Sequence, residues 1–311
     1  MQAHVETLIF LDVDGVLNIG VKDGPNDPVA FTSGNLQLAL QMASSAKKKN
    51  MNPIAERILA VAERKVDYGE NSTYEKLVAN DDELSELLVS RFVKLVKTAG
   101  TSCHLVFSSS WRRPKHAKRK ERLETCIAKH MGKPFTFEAS TSLREERKPI
   151  DRLQTIGEYL VNYCQQRGKD AAPALRILVL DDFCSTPLGG QEFHGTGINS
   201  PEAAERYVAE FIGKDFDVKV KVVHTYDSWT TKQGTQIEIG CGLTMKHFSV
   251  SLHFLDDAMP LPVESSASDC LLAQYKTANG ANDDFCCPQA LFRFLACVRG
   301  SCTPSHEQHE Q

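Results

Sequence analysis

Three short apolar runs in this chain all end on oxygen-bearing side chains. Leu8-Ile9-Phe10-Leu11 closes on Asp12, Leu105-Val106-Phe107 on Ser108-Ser109-Ser110, and Ile177-Leu178-Val179-Leu180 on Asp181-Asp182. Continuous apolar runs of about four residues suit strands covered on both faces, as in a parallel sheet. Helical patterns separate the runs. Leu84, Leu87, Leu88, Phe92 and Leu95 share one face of a helix expected over 81–98, with Asn80 as its cap, Glu83 in the capping-box position and Gly100 as terminator. Pro149 opens a second helix that would bury Ile150, Leu153, Ile156, Leu160 and Tyr163. A third follows Ser200-Pro201 and stops near Gly213. The partly alternating stretch from Val218 to His224 reads as a strand nearer an edge, and Phe135-Thr136-Phe137 as a further short one. Strands alternating with helices of this length predict an α/β fold with a mainly parallel sheet.

The 311 residues exceed what such a core needs. The excess falls in two places. Residues 19–80 are far longer than a strand–helix loop and read as an insertion, a small helical cap over the sheet edge. From about residue 250 the pattern degrades into Ser, Ala, Asp and Cys, ending in SHEQHEQ, so 250–311 reads as an irregular tail. Within that tail, 291–298 can form a short apolar helix. The core is therefore discontinuous, 1–18 and 81–249.

In a parallel sheet the strands' C-terminal ends share one edge, where ligands bind. Asp12, Asp14, Asp181 and Asp182 would converge there. Four carboxylates in a small volume repel one another and raise one another's pKa unless a counter-ion is present. Oxygen-only ligands select a hard cation, Mg²⁺ rather than zinc. Singly, each motif has an ordinary reading: Asp-x-Asp as a solvated turn, Ser108 as a turn residue, Lys148 as a surface lysine, Asp181-Asp182 as a cap. Ordinary turns do not gather four acids at one sheet edge.

Asp12-Val13-Asp14-Gly15-Val16-Leu17-Asn18 after an apolar strand resembles the first motif of the haloacid dehalogenase-like (HAD) hydrolases. Ser108, Lys148 and Asp181-Asp182 resemble the second, third and fourth motifs, in order. Within that superfamily, FLDVDGVLN, LVFSSSWRR, VLDD and the later Gly242-Leu243-Thr244 are similar to the HAD domain of Swiss Army Knife RNA-repair proteins. The resemblance implies a three-layer, Rossmann-like HAD core with an insertion between the first two motifs. It implies an Mg²⁺-dependent phosphatase that acts on phosphomonoesters through an aspartyl-phosphate. Asp12 would be nucleophile and Asp14 general acid and base, with Ser108 and Lys148 on the phosphoryl oxygens. Mg²⁺ would be held by Asp12, the Asp14 backbone carbonyl and Asp182, with Asp181 in support. Gly15 would allow the turn and Asn18 would shape it. Ser109 can replace Ser108 under a one-residue shift in register. A binding module without turnover and a phosphotransferase share these motifs.

The chain totals −4, which excludes a generally basic nucleic-acid coat. Residues 111–122, WRRPKHAKRKER, depart from that average with seven Lys or Arg against one Glu. Following the second motif, Trp111 is placed to stack on a base, and Arg112 and Arg113 to bind substrate phosphate, which favours nucleic-acid ends or nucleotides as the phosphorylated partner. A nuclear-localisation signal and a solvated helix face are the other readings of the same run. No apolar run approaches the ~20 residues of a membrane span, and the first ten residues lack the basic start of an export signal. A cytoplasmic or nuclear location is expected, with the ten cysteines, none in a CxxC pair, as thiols.

Overall fold

A computed structural model of the chain describes residues 5–23, 26–45, 52–67, 72–80, 83–146, 148–167, 174–183, 198–213 and 216–256. The expected helix at 291–298, most of the tail and six of the ten cysteines lie outside these. Cys103, Cys126, Cys164 and Cys241 form no disulfide.

The three apolar runs are strands β1 (Glu6–Leu11), β4 (Cys103–Phe107) and β6 (Leu175–Asp181), numbered with the two strands β2 (Gly20–Asp23) and β3 (Asn26–Ala30) of the insertion. With β5 (Ala139–Ser140) and β7 (Val218–His224) they build a five-stranded parallel sheet in the order β5-β4-β1-β6-β7. Chain direction across the sheet reverses at β1, which opens a crevice at its C-terminal end.

Alternate residues of the central strands feed two separate apolar clusters. Ile9, Leu11, Leu178 and Leu180 pack with α3 (Glu86–Ala99), α4 (Ala117–Met131) and α7 (Met245–Leu255). Leu8, Phe10, Ile177 and Val179 pack with α5 (Pro149–Arg167) and α6 (Pro201–Ile212). The sheet is thus covered on both faces, which is why its strands read as continuously apolar. The α6 helix is capped as its sequence suggests, Ser200 Oγ accepting from Ala203 N–H at 3.2 Å.

Several boundaries differ from the sequence reading. The α3 helix begins at Glu86 after a Ser85 cap, because Glu83 takes a left-handed conformation (φ 63°) outside it. Leu84, Leu88, Phe92 and Leu95 are buried, but Leu87 is exposed. Phe135–Phe137 is not a strand. Phe137 instead stacks on Phe107 at 4.5 Å, covering the sheet beside the two-residue β5. The α7 helix runs through 250 to Leu255 with Leu252 and Leu255 buried, so the packed core extends past 249.

The insertion is only partly helical. It holds α1 (Ser33–Ser45) and α2 (Pro53–Glu63), but also the β2–β3 hairpin. That hairpin joins β8 (Tyr226–Thr230) and β9 (Gln236–Gly240) in a second, antiparallel sheet ordered β3-β2-β9-β8. Residues assigned by sequence to the core therefore complete the insertion's sheet. Arg64 fastens the two parts, 3.3 Å from Asp227 and stacked 4.1 Å over the Trp229 ring. Asp67 pairs with the buried Arg91 of α3 at 2.5 Å and accepts from Met245 N–H at 2.8 Å.

Candidate active site at the C-terminal edge of the sheet

The sheet register brings Asp12, Ser108 and Asp181 to one edge. Asp12 N–H donates to Leu180 O at 2.9 Å and Ser108 N–H to Leu11 O at 3.0 Å, so each follows its strand without a break. Asp12 (4% exposed) and Asp181 (0%) are buried, and Asp182 is half-buried. One carboxylate oxygen from each of the three lies within 4.8 Å of the others. Three acids at this spacing supply the hard-oxygen ligands that Mg²⁺ prefers.

Two glycines make room for Asp182. A Cβ on Gly15, where φ is +72°, would fall 2.4 Å from Asp182 Oδ2. One on Gly240 would fall 2.5 Å from the Gly15 Cα and 2.6 Å from the same oxygen. The β9 end is docked on this turn by Gly242 N–H to Gly15 O and Leu243 N–H to Val16 O, both 2.8 Å.

Arg152, on the buried face of α5, is the cation inside the cluster. Its Nη1 lies 3.2 Å from Asp12 Oδ2 and 3.1 Å from Asp181 Oδ2, and donates to Ser108 O at 2.6 Å. Its Nε stands 2.9 Å from Glu146, whose other oxygen binds Arg112 at 2.6 Å. Even so, the acids outweigh the guanidinium. Burial pushes Asp181 up to about 7 against the pull of Arg152, and Asp12 adds to the rise. Burial and Asp12 likewise raise Asp182 well above the carboxylate range, opposed by Lys22 on β2. An electrostatic deficit of this kind favours a bound cation.

Asp14 stands apart from the trio at the exposed rim of the site. Its carboxylate accepts from Trp111 Nε1 at 2.8 Å and from Asn18 Nδ2 at 3.1 Å, while Asn18 Oδ1 accepts from Gly15 N–H at 2.8 Å. Crowding around the carboxylate and the Asp12 charge raise its pKa, and the two hydrogen bonds hold it back. Ser108 Oγ is buried with no hydrogen-bond partner among the described residues, whereas Ser109 Oγ accepts from Trp111 N–H. Of the two serines, Ser108 keeps its hydroxyl available.

Other residues singled out from the sequence sit differently. Lys148 is exposed at the start of α5, its backbone N–H bonded to Asp151 Oδ2 at 2.9 Å, and the cation beside Asp12 is Arg152, one turn on. Trp111 is 1% exposed and offers no ring face to a base, because its indole is enclosed between α4 and the site and spends its N–H on Asp14. Arg112 holds the carbonyls of Ser108, Ser109 and Ser142 together with Glu146. Its guanidinium is thus occupied in fixing the β4 exit. Arg113 is half-buried, donates to Arg144 O at 3.3 Å, and lines an open cavity of about 570 Å³ with Lys115, Arg144 and the acidic Glu145.

Sequence reasoning missed Arg152, Glu146, Lys22 and Gly240. Arg152 carried a signal, since it falls beside Leu153 on the apolar face of its helix. Lys22 carried none, because its position depends on β2 pairing with β9. His224, at the end of β7, donates Nε2–H to the Asp182 carbonyl at 2.9 Å, and burial pushes its pKa down to about 4, so it is neutral. Among the described residues no helix is long and apolar enough to cross a membrane. Compared with protein-family models, curated proteins and solved structures, the chain matches none.

Proposed function

We propose that the chain is an Mg²⁺-dependent phosphohydrolase of the HAD type, acting on phosphomonoesters. The observation that carries this reading is the convergence of Asp12, Asp181 and Asp182 within 4.8 Å, with Asp14 held separately at the rim. Three acids with too little positive charge around them suit a metal and a phosphate. A fourth acid, raised in pKa and solvent-accessible, suits proton transfer.

Asp12 attacks phosphorus, forming an acyl-phosphate bond as the ester oxygen departs. Asp14 gives that oxygen its proton. Asp14 then takes a proton from water, which attacks the same phosphorus and releases Asp12 and inorganic phosphate. Ser108 Oγ donates to a phosphoryl oxygen, the use left open by its having no partner among the described residues. Arg152, 3.2 Å from Asp12 Oδ2, holds the nucleophile in orientation, whereas the family resemblance assigned Lys148 to the phosphoryl oxygens. When bound by Asp12, Asp181 and Asp182, Mg²⁺ supplies positive charge that screens the nucleophile from its anionic substrate. The preferred substrates remain nucleic-acid ends or nucleotides, supported by Arg113, Lys115 and Arg144 around the outward cavity rather than by Trp111 or Arg112.

Turnover of an aryl phosphate and of 5′- and 3′-phosphorylated oligonucleotides, with Mg²⁺ or with EDTA, tests the proposal. Metal-dependent release of phosphate that disappears in Asp12→Asn is the expected result. A folded, Mg²⁺-supplied protein that turns over none of these esters would refute it.

A further inference from the structure

Away from the sheet edge, α3 and α4 gather a second set of ligand-type side chains. Glu86 opens α3, and Cys126 and His130 stand four residues apart on α4, hence on one helical face. A carboxylate oxygen, the thiol sulfur and a ring nitrogen lie within 4.8 Å of one another, and all three residues are half-buried. The junction is already ordered. His130 Nε2 lies 2.7 Å from Glu86 Oε2, Lys129 Nζ lies 2.9 Å from Glu86 Oε1, and Lys97 Nζ donates to His130 O at 3.1 Å.

This set differs in kind from the acids at the sheet edge. One sulfur, one imidazole nitrogen and one carboxylate oxygen are the ligands of a borderline-soft divalent ion, zinc above all, and a poor set for Mg²⁺. The charges also balance. A thiolate and a carboxylate neutralise a divalent cation, so the ion and its three ligands together carry no net charge in their half-buried junction. Lys129 binds the Glu86 oxygen that does not face His130, so it can stay in place. One pair, His130 Nε2 and Glu86 Oε2, is already in hydrogen-bond contact, and with all three ligand atoms within 4.8 Å side-chain rotation can bring them around one ion.

We propose that Glu86, Cys126 and His130 form a zinc site that fastens the last turn of α4 to the first turn of α3, with water in the fourth position. Binding breaks the Cys126 S–H bond and forms a metal–sulfur bond, and the proton leaves to solvent. The hydrogen bond between His130 and Glu86 is the metal-free form of the same contact. Because α4 carries most of the basic run, the metal sets how firmly that helix is held, independently of the chemistry at Asp12.

The probe is Co²⁺ titrated into the full-length chain under a non-chelating reductant, followed by displacement with Zn²⁺. A thiolate-to-metal charge-transfer band is expected in the native protein and in Asp12→Asn, since the catalytic acids contain no sulfur. The band should vanish in Cys126→Ser. His130→Gln should weaken Zn²⁺ at least about tenfold, with circular dichroism showing both variants folded. An undiminished band in Cys126→Ser, or unchanged Zn²⁺ affinity in His130→Gln, would overturn the assignment.

Discussion

Trp111 Nε1 donates to Asp14 Oδ2 at 2.8 Å, joining two residues 97 positions apart. The bond connects the segment after β4 to the turn after β1, so one buried indole orients the acid assigned to proton transfer. Because it favours the charged carboxylate, it lowers the Asp14 pKa. In Trp111→Phe the aromatic volume remains and the bond is lost. Stability should fall by about 1–2 kcal/mol, and the Asp14 pKa should rise. If Asp14 acts as an acid in the first step, the falling limb of the kcat/KM profile then moves to higher pH. An unmoved limb in a folded variant would remove Asp14, or its bond to Trp111, from that step.

Metal binding should depend on pH through Asp181. Its folded-state pKa of about 7 lies above the ordinary carboxylate value. Between roughly pH 4 and 7 the folded chain therefore holds a proton that the unfolded chain has lost. Without metal, this acid's contribution is fully present below pH 4 and is lost as pH rises through 7. Asp182, also raised, acts in the same direction. A divalent ion reverses the sign by favouring both carboxylates ionised. The rise in Tm caused by Mg²⁺ should thus be larger at pH 8 than at pH 5.5, and thermal melts across that range measure it. A shift of equal size at both pH values would contradict the cluster's electrostatics.

Gly15 and Gly240 leave the space that Asp182 fills, and a methyl group at either should displace it. In Gly15→Ala the cost combines a left-handed backbone with a Cβ only 2.4 Å from Asp182 Oδ2. Gly240→Ala has the close contact alone. Gly132 provides the control, with φ +73° and no neighbour among the described residues within 4 Å of an added Cβ. Gly132→Ala should cost about 1 kcal/mol from backbone conformation and leave Mg²⁺ affinity unchanged. Gly15→Ala should lose more than that, and both Gly15→Ala and Gly240→Ala should bind Mg²⁺ more weakly in a calorimetric titration.

What the sequence revealed of the fold and site follows from the range over which each signal acts. Asp12 and Asp181 were legible because the step from apolar strand to acid is local, and a parallel sheet aligns all such steps. The β8–β9 hairpin was not, although Gly234 at its turn, with φ +86°, marks the reversal. Its strands are short and one-sided, and the pairing of β9 with β2 joins Gly20 to Gly240, far apart in the sequence. Trp111 shows the limit of reading by neighbourhood. Set among basic residues it suggested a base-stacking platform, yet its large apolar surface is more favourably buried, and burial obliges the indole N–H to find an acceptor.

Arg152 and Lys148 separate these two kinds of legibility, and substitutions at each should differ sharply. Lys148 occupies the expected place in the motif order but is exposed, so Lys148→Met should change stability by less than about 0.5 kcal/mol. Arg152→Met leaves Asp12, Asp181 and Glu146 buried around a missing charge, a loss of about 3–5 kcal/mol for a broken buried pair. Mg²⁺ should return part of that stability, because it supplies positive charge to two of the same three acids. Arg152→Lys keeps the charge but not the fork that reaches Asp12, Asp181 and Glu146 together, so its kcat should fall between those of the native protein and Arg152→Met. Denaturation with and without Mg²⁺, alongside kcat for an aryl phosphate, measures all three variants. Should Lys148→Met lose more activity than Arg152→Met, the buried cation would have been assigned to the wrong residue.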